Sequence, residues 1–384
     1  MLVMSTYGRF HFGQAADALA AQGRAVLLHV ADPLARTQRA KIVRAGLHHV
    51  AGNALLRRFH PAWLEQPLIA SFDAAVARWV TRRRAQIGGV HGGALYCAST
   101  LRACRREGIV AVVERSGPHV DAQCELMSSE YDRLGLHRDL RGYWSTDDYR
   151  SRMLEEYETA DRIVVSSSFA KDTFVARGIS PDKVVVVPLG SNFPTRPKRH
   201  AEGGKFVVLT VGNDFVCKGI ADLLEAWRIA NLPRAELRIR APLPDRWLRL
   251  AVKLGNVTVL PPMPHAYLVP HFEAASVFCL LSIVDGFGMV VSEAMACGCP
   301  VIVSRNVGAR DLVRDGYNGF VVRVRQPADA AERLVELYRD RELLKQMGHG
   351  ALCSAGVYSW SRYATGMARM WALIAEGRKC VACS

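Results

Sequence analysis

Residues 285–300 constrain the fold of this 384-residue chain more than any other segment. An apolar run over 276–281 predicts a buried strand, two glycines predict a loop after it, and 289–297 predicts a helix. Gly298 and Pro300 end that helix, and a further apolar run follows at once. The segment therefore predicts a strand, a glycine loop, a helix and a second strand in direct succession.

The predicted helix is apolar on all sides except at Ser292 and Glu293. A helix of this composition is expected to be buried, and a buried carboxylate costs several kcal/mol unless hydrogen-bond donors meet it. We therefore expect a donor from outside the helix at Glu293. A glutamate that merely pairs with an arginine in the core is the alternative.

The glycine loop favours a phosphate, because a helix N-terminus presents backbone N–H groups and a partial positive charge. One turn further into the helix, the carboxylate of Glu293 is placed to accept from the two hydroxyls of a ribose. The two features together predict a site for a nucleoside diphosphate.

Apolar runs of β-type composition alternate with helical patterns along the whole chain. The predicted strands are 2–5, 25–29, 109–113, 162–165, 183–187, 206–211, 236–240, 257–260, 277–281, 301–303 and 319–322. Such alternation predicts an α/β protein with parallel sheets and helices on both faces. The proline-rich, basic stretch 191–204 interrupts the pattern, and we expect the linker between two domains there.

The same residues resemble a known family. An acidic residue, seven intervening positions and a glutamate, Asp285 to Glu293, followed by Gly298 and Pro300, are similar to the signature of retaining GT-B glycosyltransferases of family four. The likeness continues at 156–169, 211–219, 306–311, 315–322 and 358–360. It implies a GT-B architecture, in which two Rossmann-like, doubly wound domains face a central cleft. It also implies an acceptor-side domain over 1–190, a nucleotide-sugar-binding domain over 205–357, and a C-terminal helix within 358–384 that crosses back to the first domain.

For the leaving group, the resemblance gives Lys218 the role of cation on the diphosphate. The family usually has an arginine directly after Gly212, and this chain has Asn213 there. Asn213 is thus a donor-site residue without the family's positive charge, so either another arginine replaces it or the donor is held less tightly. The candidate replacements are Arg9, Arg115 and Arg305. An ordinary solvated lysine is the alternative for Lys218.

For the sugar, the resemblance makes Asp285 the acceptor of a sugar hydroxyl, at a position where the family usually has glutamate. The backbone N–H groups expected to contact the sugar and the phosphates belong to Phe287, Gly288, Met289 and Val290. Because the side chain of Asp285 is shorter than that of glutamate, the resemblance does not determine which sugar is transferred or how fast. A plain turn residue is the alternative.

On the first domain, the resemblance gives His119 the role of the histidine at the reacting centre, since it follows a predicted strand and precedes a helix. A helix-capping or packing histidine is the alternative. Gly8 follows the first strand and is expected to allow backbone approach to the donor. His11 is more simply a residue at a helix start.

The sequence contains no Asp-x-Asp, the metal-chelating motif of the other major glycosyltransferase architecture. We expect no metal and no cofactor, with a nucleotide diphosphate sugar as the donor substrate. The helix dipole and Lys218 would then stabilise the charge that a metal handles elsewhere. Cys380 and Cys383 form a C-x-x-C without a second pair, which is a weak indication of a metal site.

Positive charge is concentrated in the first part of the chain. Residues 1–109 contain 15 Lys and Arg against 5 Asp and Glu, a balance of +10, whereas residues 110–190 contain 10 against 14, a balance of −4. This basic region favours an anionic membrane surface or a phosphorylated lipid-linked acceptor, with 82–84 as a candidate contact. A solvated basic face is the alternative. Nucleic acid is not expected, because no interleaved aromatic residues form a stacking platform.

No apolar run approaches the ~20 residues that span a bilayer, and the N-terminus lacks the pattern of a signal peptide. We therefore expect a cytoplasmic protein, peripheral at the inner membrane face.

The sequence predicts a metal-independent, retaining glycosyltransferase of the hexosyltransferase type, acting on a glycan, lipid-linked or small-molecule acceptor. A catalytically weak GT-B protein that binds nucleotide sugar as a partner or sensor is the alternative. A sugar-nucleotide epimerase or a phosphorylase is a second one.

Overall fold

The computed structural model describes residues 1–7, 11–32, 36–44, 46, 49, 51, 62–136, 146–191, 193 and 204–377. Within these residues, strands and helices alternate and form two parallel sheets, as expected. Gly8, Arg9 and the Cys380–Cys383 motif lie outside the described residues, as does most of the predicted linker.

The first sheet is built from the N-terminal half of the chain. Its described strands are β1 (Leu2–Thr6), β2 (Val26–Val30), β3 (Lys41–Arg44), β4 (Gly89–Gly93), β5 (Ala111–Arg115), β6 (Arg162–Val165) and β7 (Val184–Val186). They pair in parallel in the order β3-β2-β1-β4-β5-β6-β7. The accompanying helices are α1 (Phe12–Ala21), α2 (Ala62–Arg82), α3 (Ala98–Glu107), α4 (Val120–Leu134), α5 (Asp147–Thr159) and α6 (Ser168–Val175). The strand order reverses beside β1, as in doubly wound sheets.

The second sheet has the order β10-β9-β8-β11-β12-β13 among its described strands. These are β8 (Phe206–Val211), β9 (Ala235–Arg240), β10 (Val257–Val259), β11 (Val277–Leu280), β12 (Val301–Ser304) and β13 (Gly319–Val322). Its helices are α7 (Ile220–Ala230), α8 (Asp245–Leu254), α9 (Val269–Ala274), α10 (Met289–Ala296), α11 (Pro327–Arg339) and α12 (Arg341–Ala355). Every residue of β8 is buried, because a central parallel strand is covered by helices on both faces.

The structure contains two strands that sequence reasoning missed, β3 and β4. Strand β4 is central but contains Gly89, Gly92 and Gly93, and glycine argues against a strand interior. Close packing explains two of these glycines. A Cβ on Gly92 would lie 2.5 Å from the Cβ of Cys97, and a Cβ on Gly89 would lie 2.5 Å from the Trp371 ring. Neighbouring side chains thus occupy the space that β4 leaves empty.

The last described helix, α13 (Trp360–Ala375), returns to the first domain. The Tyr363 hydroxyl donates to the buried carboxylate of Glu114 at 2.9 Å. The Arg24 guanidinium donates to the carbonyl of Ala368 at 2.9 Å. No described helix combines the length and the apolar character that crossing a membrane requires.

Candidate functional site

A cavity of about 570 Å³ lies beyond the carboxyl ends of β8 and β9, where the first domain faces the second. Ser116 and Leu189 of the first domain contribute to its wall. Parallel α/β sheets bind ligands at this edge. Several residues expected at the donor site line the cavity together: Asn213, Lys218, Asp285, Phe287, Gly288, Met289 and Val290.

Lys218 and Asp285 form an ion pair inside this cavity. The Lys218 Nζ lies 2.5 Å from Oδ2 of Asp285. Burial by itself would lower the pKa of Lys218, but the Asp285 charge outweighs it and the pKa is raised above its ordinary value. Lys218 therefore remains a cation at every physiological pH. The sequence placed the two residues at one site but did not indicate that they pair.

The loop carrying Lys218 is fixed by a close approach of backbone. Gly219 has a φ of 62° and is the N-cap of α7, a conformation that glycine adopts without strain. A Cβ on Gly219 would lie 2.0 Å from the carbonyl oxygen of Leu281. The loop after β8 therefore packs directly on the chain that leaves β11, which brings Lys218 to Asp285.

Glu293 lies in α10, one turn after the lining residues Met289 and Val290; it is 3% exposed and is not itself a lining residue. Its Oε1 is 3.0 Å from Nε2 of His265, and an ionised carboxylate only accepts, so the imidazole donates. His265 is thus the outside donor that the sequence required. The Oε2 atom is buried and has no partner among the described residues. Burial raises the pKa of Glu293, while the nearby His265 acts in the opposite direction.

Helix α10 begins at a position that only glycine fills well. Gly288, its N-cap, has a φ of 82°, and a Cβ there would lie 2.9 Å from Cγ1 of Val307. The helix is buried from Val291 to Ala296, as its composition predicts. Its first N–H groups have no partner within the helix and belong to residues that line the cavity.

The first domain holds the glycine loop by two hydroxyls. Ser167 Oγ donates to the carbonyl of Gly286 at 2.6 Å, and Ser166 Oγ lies 3.0 Å from the same oxygen and 2.8 Å from the carbonyl of Ser116. A Cβ on Gly286 would lie 1.9 Å from that Ser116 oxygen. The loop between Asp285 and α10 is therefore pressed against the first domain.

Two ion pairs also join the domains at the far end of α4. Arg133 Nη2 lies 2.7 Å from Oδ1 of Asp222 in α7. Arg325 Nε lies 2.8 Å from Oε2 of Glu130, which is fully buried. Buried carboxylates need such partners, so these contacts help to hold the two domains together.

His119, which the resemblance placed at the reacting centre, is not among the residues that line this cavity. It is the N-cap of α4, its Nδ1 accepts from the N–H of Asp121 at 3.2 Å, and its ring packs against Tyr157 and Phe174. Burial lowers the pKa of His119 to about 4. This environment fits the capping and packing alternative. Ser116, three residues earlier, is the residue of this loop that lines the cavity.

His11 begins α1, as its position indicated. Its Nε2 lies 2.6 Å from Oε1 of Glu114, and Nε2 of His91 lies 2.7 Å from Oε2. Burial would raise the pKa of Glu114, but the two imidazoles lower it well below its usual range. The Tyr363 hydroxyl also donates to Glu114. This buried cluster therefore joins the end of β5 to α13.

A cation that sequence reasoning missed lies beside Asn213. Arg240, the last residue of β9, lines the cavity, and its Nη1 donates to the carbonyl of Gly212 and to Oδ1 of Asn213. Neither Arg115 nor Arg305 lines the cavity. The available signal was the place of Arg240 at the carboxyl end of a predicted strand, where ligands bind. In the described ranges, no group of three or more His, Cys, Asp or Glu side chains is arranged to hold a metal.

Known proteins share this domain and this fold. Residues 192–352 match the family of glycosyl transferases group 1. The D-inositol 3-phosphate glycosyltransferase of Nocardia farcinica is 32% identical over 232 residues, which are 54% of this chain and 51% of the relative. The chain thus spans about half the length of the curated relatives that it matches.

Solved structures match over nearly the whole chain at low identity. Sucrose-phosphate synthase from Thermosynechococcus elongatus has a TM-score of 0.71 and 18% identity, with 98% of this chain and 99% of that chain covered. Anabaena HepE in complex with UDP and glucose has a TM-score of 0.64 and 14% identity, with 97% and 99% covered. At these identities the likeness shows the fold. Residues 192–352 are therefore similar to the glycosyl transferases group 1 family, and the chain as a whole has a GT-B fold of two Rossmann-like domains.

Proposed function

We propose that this protein transfers a sugar from a nucleoside diphosphate sugar to a hydroxyl of an acceptor. The observation that carries the proposal is the buried Oε2 of Glu293 in α10, which has no partner among the described residues, while the other oxygen of this carboxylate contacts His265, a residue that lines the cavity. A buried acceptor without a donor is costly, and ribose hydroxyls would supply two donors. The structural neighbour HepE was solved with UDP and glucose, which supports this class of ligand.

Each part of the donor has a partner in the cavity. The ribose donates to Glu293, and the diphosphate accepts from Lys218 and from the N–H groups that begin α10. A sugar hydroxyl donates to Asp285. Without ligand, Lys218 and Asp285 neutralise each other at 2.5 Å. The donor replaces that ion pair with one anion for the lysine and one hydroxyl for the aspartate, so neither group is left without a hydrogen-bond partner.

The proposed reaction retains the anomeric configuration. The bond between the anomeric carbon and the leaving phosphate oxygen breaks, and the acceptor oxygen bonds to that carbon on the same face. The acceptor proton passes to the departing phosphate oxygen, so no separate protein base is required. A reaction without a protein base agrees with the role of His119 as a helix cap. Lys218 and the start of α10 stabilise the diphosphate as its charge develops, which supports transfer without a metal or other cofactor.

The proposed acceptor carries an anionic group, on a lipid-linked molecule, a glycan or a small polyol. Residues 1–109 have a balance of +10, and Arg82, Arg83 and Arg84 are all exposed at the end of α2. The sequence relatives are named as enzymes of D-inositol 3-phosphate, which is a phosphorylated polyol. Peripheral contact of this basic region with an anionic membrane, on the cytoplasmic side, belongs to the same proposal.

A donor panel tests the proposal. Radiolabelled UDP-, GDP- and ADP-sugars are incubated with the protein and with polyol phosphates or lipid-linked phosphates, with and without EDTA. We expect transfer from one donor class, retention of configuration by NMR, and turnover that EDTA leaves intact. No transfer from any donor would reject the activity. Activity lost in EDTA and restored by Mn²⁺ or Mg²⁺ would reject metal independence alone.

A further inference from the structure

We infer that Arg240 supplies the second cation for the diphosphate, in place of the arginine that the sequence resemblance implies at the position of Asn213. The inference rests on the proposed function, because it assigns a residue to the same donor site. It differs from the replacements that the sequence indicated, since Arg240 projects from the neighbouring strand.

The backbone places Arg240 where a phosphate is expected. Strand β9 pairs in parallel with β8 so that Val211 lies opposite Arg240, and the N–H of Gly212 donates to the Arg240 carbonyl at 2.8 Å. The side chain of Arg240 therefore starts beside the loop that leads to Lys218. It lines the same cavity as Lys218 and Asn213.

The contacts of the Arg240 guanidinium leave some of its hydrogen-bond donors unused. Nη1 lies 3.1 Å from the carbonyl of Gly212 and donates also to Oδ1 of Asn213. Nη2 makes a long contact of 3.4 Å with the carbonyl of Met263, and Nε is buried without a partner among the described residues. An arginine has five N–H groups in a fork that suits a phosphate. Two acceptors hold one nitrogen of Arg240, and the other two nitrogens retain donor capacity.

The charge of Arg240 also lacks a counterion among the described residues. Arg238, two residues earlier on β9, pairs with Glu236 at 3.1 Å. Within the described part of the chain, Arg240 forms no ion pair, and its partners are carbonyl oxygens and an amide. A half-buried cation held only by neutral groups gains most from an anion. A diphosphate in the cavity would be that anion.

Asn213 then has a positioning role of its own. Its Oδ1 accepts from Arg240, so the short amide orients a guanidinium that comes from the next strand. An arginine at 213 would put two cations against each other. The site thus keeps one lysine and one arginine, with the arginine moved from the loop to β9.

The test measures the binding of UDP, GDP and ADP by titration calorimetry at several salt concentrations. The variants are Arg240→Gln, Arg240→Lys, the matched control Arg238→Gln, and the double variant Arg240→Gln with Asn213→Arg. Removing a charged hydrogen bond to phosphate is expected to weaken binding by roughly ten- to a hundredfold. The salt dependence should also fall, because one fewer cation is screened.

We expect the control to bind as the wild type does, Arg240→Lys to lie between the wild type and Arg240→Gln, and the double variant to recover most of the loss. The inference would be overturned if the Arg240→Gln variant bound all three diphosphates with the same affinity as the wild type. A loss with unchanged salt dependence would also overturn it, because Arg240 would then only hold the loop. If the wild type binds none of the three, the proposed function fails instead.

Discussion

The ammonium of Lys218 lies 2.5 Å from Oδ2 of Asp285, so the cation expected at the leaving group and the carboxylate expected at the sugar are paired before a donor arrives. Lys218 is one-fifth exposed and Asp285 less so. Opposite charges at this distance hold each other in place. The pair therefore holds both groups in place at the cavity before any ligand binds.

Substitution of this lysine is expected to impair the reaction more than binding. Lys218→Ala removes transition-state stabilisation on the order of 3 kcal/mol, about a hundredfold in turnover, with a smaller effect on donor affinity. Lys253→Ala, which removes an exposed lysine of α8, is the control and should behave as the wild type. Steady-state kinetics with the active donor measures the turnover and the donor dependence of the two variants. Normal transfer by Lys218→Ala would remove Lys218 from the leaving-group site.

The contact between the glycine loop and the first domain gives a second prediction. In Gly286→Ala, the new Cβ would lie 1.9 Å from the carbonyl oxygen of Ser116, so backbone must shift. Overpacking of this kind costs roughly 1–3 kcal/mol of folding free energy, and we expect turnover to fall as well, because the displaced loop carries Asp285 and Phe287 at the cavity. Gly356→Ala is the control, since nothing lies within 4 Å of its Cβ. Equal turnover of the two variants would show that this contact is not needed.

His119 gives a pH prediction. Burial is the main reason that its pKa falls from 6.5 to about 4. The unfolded chain thus takes up a proton near pH 6.5 that the folded protein takes up only near pH 4, and the free energy of unfolding falls as pH drops between these values. His119→Asn keeps a capping oxygen but removes the titration, so its urea stability should fall less over that range. Its turnover should remain near that of the wild type. A large loss of turnover at unchanged stability would return His119 to the reacting centre.

Membrane contact gives a further prediction. Three substitutions to glutamine at Arg82, Arg83 and Arg84 should weaken binding to vesicles of anionic lipid, each charge contributing about 1 kcal/mol. Binding of the wild type should fall steeply with salt. Glutamines at three exposed arginines of the second domain, Arg228, Arg323 and Arg339, change the net charge equally and serve as the control. Equal loss in both triple variants, or no vesicle binding by the wild type, would favour a solvated basic face.

Much of the second domain could be predicted because most of its strands are largely apolar runs. Strands β8 and β13 occur at the predicted bounds, and α10 is buried around Glu293 as its composition required. Strand β4 could not be found in this way, because it is rich in glycine and Trp371, whose ring fills the space above Gly89, lies far away in sequence.

In the candidate site, only residues that belong to recognisable local motifs could be predicted from the sequence. Asp285, Lys218 and the glycine loop belong to segments with recognisable spacing, and they meet at one cavity. Arg240 and His265 come from segments without such a motif, so their contacts with Asn213 and Glu293 depend on strand pairing and loop packing. His119 followed a strand as expected, but helix capping turned its ring into the domain.

The central claim is that Glu293 receives the ribose of a nucleoside diphosphate, and calorimetric titration of UDP, GDP and ADP against the wild type and Glu293→Gln tests it most directly. The substitution keeps the shape and the contact with His265 but removes the charge. A hydrogen bond to a charged group contributes roughly 1.5–3 kcal/mol. We predict that at least one diphosphate binds the wild type and binds Glu293→Gln about ten- to a hundredfold more weakly, with an unchanged fold by circular dichroism. Equal affinity in the two proteins, or no binding to the wild type, would contradict the account.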